Sequence, residues 1–244
     1  MIIDCISDLH GYYPQLEGGD LLIVAGDCIA DNKIAHWAEF FGWFKKQNYR
    51  KKVLVAGNHD NFLFQGMLKT KEQAEFCAEL RDIENDEPID YDYLCDSGIE
   101  FEYFRCLDDF AHDGHTLERK KLKIWGSPWT LRFPGENPKA LAFTCPHEND
   151  LAEKWALIPE DTDILITHSP PLGILDKTID GYNVGSRTLM GSLVYCFRPK
   201  LWVFGHIHES YGQMKYKDQT ICVNASYVNE RYQPVNKPVR IELL

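Results

Sequence analysis

Leu201-Trp202-Val203-Phe204-Gly205-His206-Ile207-His208 reads as an apolar strand that stops at a glycine and two imidazoles. Four consecutive large apolar side chains suit a strand covered on both faces. Groups able to bind a metal follow at once, and four other places in the chain repeat the pattern. Ile2 to Ile6 leads to Asp8-Leu9-His10, and Leu21 to Ala25 leads to Gly26-Asp27. Val53 to Ala56 leads to Gly57-Asn58-His59-Asp60, and Asp163 to Thr167 leads to His168. In α/β folds, sites assemble beyond the carboxyl ends of strands. Five such endings therefore converge on one place, although they are spread over most of the chain.

The intervening segments supply the rest of the architecture. Asp31 or Asn32 is placed to cap a helix whose apolar residues Ile34, Trp37, Phe40, Phe41 and Phe44 recur at helical spacing. Further helices are predicted over Lys69 to Leu80, Glu148 to Leu157 and Ser186 to Phe197. Ile99 to Phe104, Leu122 to Trp125, Thr220 to Val223 and Val239 to Leu243 read as strands. The acidic run from Arg81 to Asp96 reads as a surface excursion. The Pro-, Gly- and aromatic-rich stretch from Gly126 to Pro138 reads as a long loop. Alternating strands and helices predict an α/β fold, a two-sheet sandwich flanked by helices. The close spacing of the late strands predicts a more antiparallel second half.

Composition narrows the class of protein. The chain has 244 residues, 44% hydrophobic and 26% charged, enough for one well-buried domain. No run approaches the roughly 20 apolar residues of a membrane helix, and the N-terminus does not read as a signal peptide. None of the eight cysteines forms a C-x-x-C pair, so free thiols in a reducing cytoplasm are expected. The net charge of −11 argues against a large nucleic-acid surface, although bound cations would change the local field. Nothing in the sequence signals an oligomeric state.

The residue types at the strand ends suit one task. Carboxylate, imidazole and carboxamide groups bind divalent ions such as Mn²⁺, Fe²⁺ and Zn²⁺, and the absence of thiolates disfavours a structural zinc site. Glycines before Asp27, Asn58 and His206 let backbone pass close to the ions. Asp27, one acid between sets of histidines, is the natural bridge between two metals. Read singly, each of these residues is an ordinary cap, turn or core residue. The ordered set of five is the strong signal.

That order, D-x-H, G-D, G-N-H-D, T-H and G-H-x-H, resembles the calcineurin-like metallophosphoesterases from Asp8 to Ser226. Thr167 to Gly173, Pro199 to Gly212, Asn224-Ala225-Ser226 and Gly126-Ser127-Pro128-Trp129 are similar to the metallophosphoesterase-domain-containing, cyclic nucleotide phosphodiesterase-like branch. The resemblance implies a single domain over 1–244, a four-layer α/β/β/α sandwich of two mixed sheets. It implies one metal on Asp8, His10, Asp27 and His208, and a second on Asp27, Asn58, His168 and His206. Mn, or Fe with Mn, is expected, with Zn as the alternative. His59 would be the general acid and would contact substrate together with Asn58, and Asp60 would orient the His59 ring. Some members of the branch carry glycine in place of the first histidine of G-H-x-H; this chain keeps His206. The branch more often has glutamate where Asp60 stands.

The implied reaction is hydrolysis of small phosphodiesters, cyclic nucleotides among them, by a hydroxide bridging the two metals. A nuclease is the runner-up, opposed by the acidic balance and the lack of basic runs. A protein phosphatase ranks below it, because no arginine follows Asp27 or Asp60. A binding scaffold without turnover is the alternative outside catalysis; the intact ligand set and His59 oppose it. His36, His112, His115 and His147 are expected at ordinary surface or structural positions. Trp129, Arg132 and Phe133 either stack on a base or pack against the sandwich. Ser169 has no nucleophile elbow around it. Asp180, Tyr182 and Asn183 are candidates for the mouth of the site.

Overall fold

Alternation along each strand sorts the apolar side chains into three cores, and the cores define the layers. The computed structural model describes residues 1–31, 33–66, 90–107, 116–133 and 137–243. The first sheet contains β1 (Ile2–Ile6), β2 (Gly19–Ala25), β3 (Tyr49–Val55), β4 (Asp92–Leu94) and β13 (Val239–Glu242), in the order β13-β1-β2-β3-β4. β1 to β4 are parallel, and β13 runs antiparallel beside β1. The second sheet contains β5 (Ser97–Leu107), β6 (Thr116–Ser127), β9 (Ile164–Thr167), β10 (Leu201–Phe204), β11 (Gly212–Tyr216) and β12 (Thr220–Asn224), in the order β11-β12-β10-β9-β6-β5.

Side chains at alternate positions point to opposite faces of a strand. Ile3, Cys5, Leu21, Ile23, Val53 and Val55 face Ile164, Ile166, Leu201, Val203 and Val223 in the core between the sheets. Leu22, Val24 and Leu54 point the other way and meet Trp37, Phe40, Phe41 and Phe44 of α1 (Ile34–Lys45). Leu165, Trp202, Phe204 and Cys222 meet α3 (Glu148–Trp155) and α4 (Arg187–Tyr195) on the far side. The result is the four-layer α/β/β/α sandwich. Each fully buried large side chain contributes roughly 1.5–3 kcal/mol, and truncating one of the α1 aromatics to alanine costs about 3–5 kcal/mol.

Several expectations change. The second sheet is parallel through β12, β10, β9 and β6, and only its edges β11 and β5 are antiparallel. Close spacing of the late strands reflects one edge hairpin, not an antiparallel half. The acidic run contains β4, which pairs with β3 through Asp92, Tyr93 and Leu94. The long loop contains β7 (Thr130–Leu131), paired with β8 (Thr144–Cys145). Asp31 does not cap α1. The N-cap is Lys33, without a side-chain bond, and the Asp31 carboxylate pairs with Lys33 and His36 instead. A short α2 (Asn61–Phe64) follows β3. The helix expected over Lys69 to Leu80, residues 81–89 of the acidic run, and His112 and His115 lie outside the described residues. Among the described residues no helix is long and apolar enough to cross a membrane.

Candidate metal centre

β1, β2, β3, β9 and β10 all point their carboxyl ends to one side, and their last side chains meet there. Asp8, His10, Asp27, Asn58 and His168 are buried. The backbone turns sharply to deliver them. Asp8 (φ 51), His10 (φ 43), Asp27 (φ 53) and His206 (φ 69) are all left-handed. Non-glycine residues seldom adopt that conformation, and such strain concentrates at functional sites.

Asp27 sits at the centre. Its Oδ2 lies 3.3 Å from His168 Nε2 and 3.8 Å from His10 Nε2, so one carboxylate oxygen faces two imidazoles on opposite sides. Asn58 Oδ1 is 2.9 Å from the same His168 nitrogen. On the other side, His208 Nε2 lies 3.3 Å from Asp8 Oδ1. Donor atoms of Asp8, His10 and His208 lie within 4.8 Å of one another, as do those of Asp8, Asp27 and His168. His206 is beside His168, with ring centroids 5.0 Å apart. All seven sequence-derived ligand candidates therefore come to one place, with Asp27 near both His168 and His10, and with His206 joined to the rest through its ring contact with His168.

The surroundings orient the imidazoles. His168 Nδ1 donates to the Ala25 carbonyl at 2.9 Å, and His208 Nδ1 donates to the Asn229 carbonyl at 3.1 Å. Both bonds fix the ring so that Nε2 points into the cluster, toward Asn58 and Asp27 in His168 and toward Asp8 in His208. Thr130 Oγ1 is 3.3 Å from His206 Nε2. Ser226 Oγ donates to Asp8 at 2.8 Å, and the His206 N–H donates to the same carboxylate at 3.0 Å. Two glycines make room. A Cβ at Gly57 would stand 2.2 Å from Asp27 Oδ1, and one at Gly205 would stand 2.1 Å from Asp8 Oδ2.

The donor set fits divalent cations. His10 Nε2 is a buried polar atom with no hydrogen-bond partner, aimed toward Asp27, where a cation would satisfy both. Charge in the cluster is arranged by proximity. Burial alone would push Asp27 up, but His168 and His59 hold it well below the usual carboxylate range. Burial would lower His168, and the Asp27 charge reverses that and lifts it to about 9. Burial and the His168 charge hold His206 down to about 3. Burial, partly offset by Asp27, holds His10 down to about 4. Burial would likewise lower His208, and the Asp8 charge raises it. Two imidazoles of the cluster are thus pulled toward the charged form by the carboxylates they face, and two are held down by burial.

His59 lies at the edge of the cluster. Its ring is 4.8 Å from that of His10, its N–H donates to Asp27 Oδ1 at 2.8 Å, and its donor atom falls within 4.8 Å of those of His10 and Asp27. Asp60 does something other than orient this ring. Its carboxylate accepts the backbone N–H groups of Asp27 at 2.9 Å, Cys28 at 3.0 Å and Gly57 at 2.8 Å. The short side chain of aspartate turns back onto the backbone beneath Asp27, and holds the turns of β2 and β3 together. Burial and the Asp27 charge raise its carboxyl to about 7 against those three donors.

Trp129 packs rather than stacks on a ligand. Its Nε1 donates to Asp96 at 2.8 Å, and Lys154 Nζ lies 4.1 Å over its ring. Phe133 of the same loop does reach the centre, parallel to the His206 ring at 6.1 Å. Arg132 is held by Thr144 Oγ1. Asn183 bonds Asp176, while Thr178 and Val184 of that loop line the cavity over the centre. Sequence reasoning missed Thr130, Asn229 and Tyr232. The Tyr232 ring lies 4.7 Å from His10 and 5.4 Å from His208. No local pattern marks these three, because only tertiary folding brings them to the strand ends.

Two buried carboxylates, four histidines and a carboxamide thus gather at the strand ends of a double-sheet sandwich, a donor set suited to divalent cations. The chain belongs to the calcineurin-like phosphoesterases, whose family profile matches residues 1–210. It is 35% identical over 242 residues to metallophosphoesterase domain-containing protein 1 of Homo sapiens, covering 98% of this chain and 70% of that one. The Mus musculus protein of the same name matches equally. UPF0046 protein T07D4.2 of Caenorhabditis elegans is 31% identical over 251 residues, covering 98% of this chain and 59% of that one. Family membership implies a dinuclear divalent metal site and hydrolase chemistry.

Proposed function

We propose that this protein hydrolyses phosphodiesters, cyclic nucleotides among them, with Mn or Fe/Mn as its metals and Zn as the alternative. The lining of the cavity over the centre carries the diester reading. Glu209 and Glu230 stand there with Asp27, and no lysine or arginine is among its described lining residues. A phosphomonoester brings a second negative charge that the lining of this cavity does not meet, whereas a diester brings one; the cationic side chains near the centre, Lys33 and Lys139, line the adjoining larger cavity instead.

Asp8, His10, Asp27 and His208 would hold one cation, and Asp27, Asn58, His168 and His206 the other. Such cations supply Lewis acidity toward phosphoryl oxygens and lower the pKa of water. The protein's own groups do the rest. His59 donates a proton to the departing alkoxide from the edge of the cluster, where its ring lies 4.8 Å from that of His10. Asp60 fixes the turn that presents Asp27. Phe133 and Tyr232 wall the cavity. Among the described cysteines Cys5, Cys28, Cys145, Cys196 and Cys222 are free thiols, which supports a reducing, cytoplasmic setting.

The test compares an aryl phosphodiester with the matching monoester. Protein stripped of metal is assayed before and after addition of Mn²⁺, beside His59→Ala and Asp27→Ala. Metal-dependent turnover that favours the diester is expected, with a loss of about 10²–10⁴-fold in His59→Ala on a cyclic nucleotide, whose leaving alkoxide needs the proton, and a smaller loss on the aryl diester. Preference for the monoester would overturn the diester reading. No turnover of either ester by metal-loaded protein would overturn the catalytic one.

A further inference from the structure

Among the described residues, two cavities open over the centre. The smaller, about 360 Å³, is lined by Phe133, Thr178, Val184 and His206, among others. The larger, about 960 Å³, extends from His10 past Tyr12, Asn61, Phe62 and Gln65. His59, Asn137 and Tyr232 line both. The cavities thus meet where the proton donor stands, and Tyr232 is the large side chain between them.

Tyr232 is held there by design of the backbone. Its φ is 57, in the left-handed region, a conformation a bulky residue keeps only when its surroundings enforce it. The enforcing residue is Asn229. The Asn229 carbonyl accepts the Tyr232 N–H at 2.9 Å and also His208 Nδ1 at 3.1 Å. Its side-chain oxygen accepts the N–H groups of Arg231 at 3.0 Å and Gln233 at 2.9 Å. One asparagine therefore positions both a metal-ligand imidazole and the ring between the cavities.

We propose that Tyr232 is a specificity-determining partition that sorts the two arms of a phosphodiester by size and shape. A compact arm belongs beside His206 and Phe133. A bulky, flat arm with hydrogen-bonding edges belongs in the larger cavity, whose lining includes the aromatic side chains Tyr12 and Phe62, the Gln65 amide and the amines of Lys33 and Lys139. This deepens the diester reading and rests on it.

The experiment uses two esters with one leaving group, p-nitrophenyl methyl phosphate and thymidine 5′-p-nitrophenyl phosphate, on Mn²⁺-loaded protein. The wild type is expected to prefer the thymidine ester by at least about tenfold in kcat/KM, expressed through KM. Tyr232→Ala is expected to bring that ratio below about threefold, while Tyr232→Phe keeps it, because the ring and not the hydroxyl makes the partition. Equilibrium binding of thymidine 5′-phosphate against inorganic phosphate is measured on the same three proteins. The binding preference is expected to fall in Tyr232→Ala only. An equal preference in Tyr232→Ala and wild type, or none in the wild type, overturns the partition. If neither ester is hydrolysed the proposed function falls, and the binding ratio still decides the role of Tyr232.

Discussion

Asp4 and Asp8 stand four residues apart along the first strand and the turn after it; both are buried, yet they are satisfied in different ways. Asp4 is clamped by Arg240, whose Nε and a terminal nitrogen reach its two oxygens at 2.8 and 2.7 Å, and it also accepts the Tyr49 hydroxyl. That is a bidentate ion pair closed within the protein, tying β1 to β13. Asp8 accepts Ser226 and the His206 N–H but otherwise faces imidazoles, and beside it His10 Nε2 has no partner. Its backbone is left-handed, whereas Asp4 lies in regular strand. A buried carboxylate matched inside the fold holds the fold. One set among imidazoles, beside a buried nitrogen without a hydrogen-bond partner, is arranged for a cation from outside.

Substitutions at the two ends should separate these roles. Asp4→Ala leaves Arg240 without its buried partner, and should cost about 3 kcal/mol of stability, the low end for a broken buried pair since Arg240 is partly exposed. Its thermal midpoint should drop while the further rise on adding Mn²⁺ survives. Asp27→Asn should do the reverse. Replacing a partner outside the ligand shell costs 10–100-fold in metal affinity, so a direct ligand should cost at least about 100-fold, or roughly 2.7 kcal/mol. Calorimetric titration with Mn²⁺ checks it, and an unchanged affinity would remove Asp27 from the metal shell. Asp60→Asn puts an amide against three backbone donors and should destabilise by about 2 kcal/mol in denaturant melts, with metal affinity weakened as the Asp27 turn loosens. Thr130→Val should have the smallest effect, about tenfold in metal affinity with little change in stability, because it only supports His206. A larger loss there than in Asp27→Asn would break the comparison.

The layers and the ligand set were legible because both depend on short-range signals. Apolar runs announced the buried strands, and each run stopped at its metal-capable residue. β11 was not legible, because its edge position leaves Gln213, Met214 and Lys215 exposed and without alternation. β4 hid in an acidic run for a similar reason, since only Leu94 of its three residues is buried. The helix start failed at Asp31 because ion pairs with Lys33 and His36 claimed the carboxylate. The role of Asp60 was not legible: the resemblance implied a contact with the His59 ring, while the shorter side chain of aspartate reaches the backbone N–H groups of Asp27, Cys28 and Gly57. Trp129 and Phe133, four residues apart, looked equivalent until β7 separated them, one into the core and one toward His206.

The bonds that close the centre join distant parts of the chain. Ser226 reaches Asp8 across 218 residues, His208 across 200 and His168 reaches Ala25 across 143. Contacts of that range form late, because loop closure must precede any reward from them. During synthesis, Asp8 and Asp27 leave the ribosome long before the histidines that face them. A nascent or truncated chain thus offers a cation only scattered carboxylates, and capture of the metal pair marks a polypeptide whose two sheets have already docked.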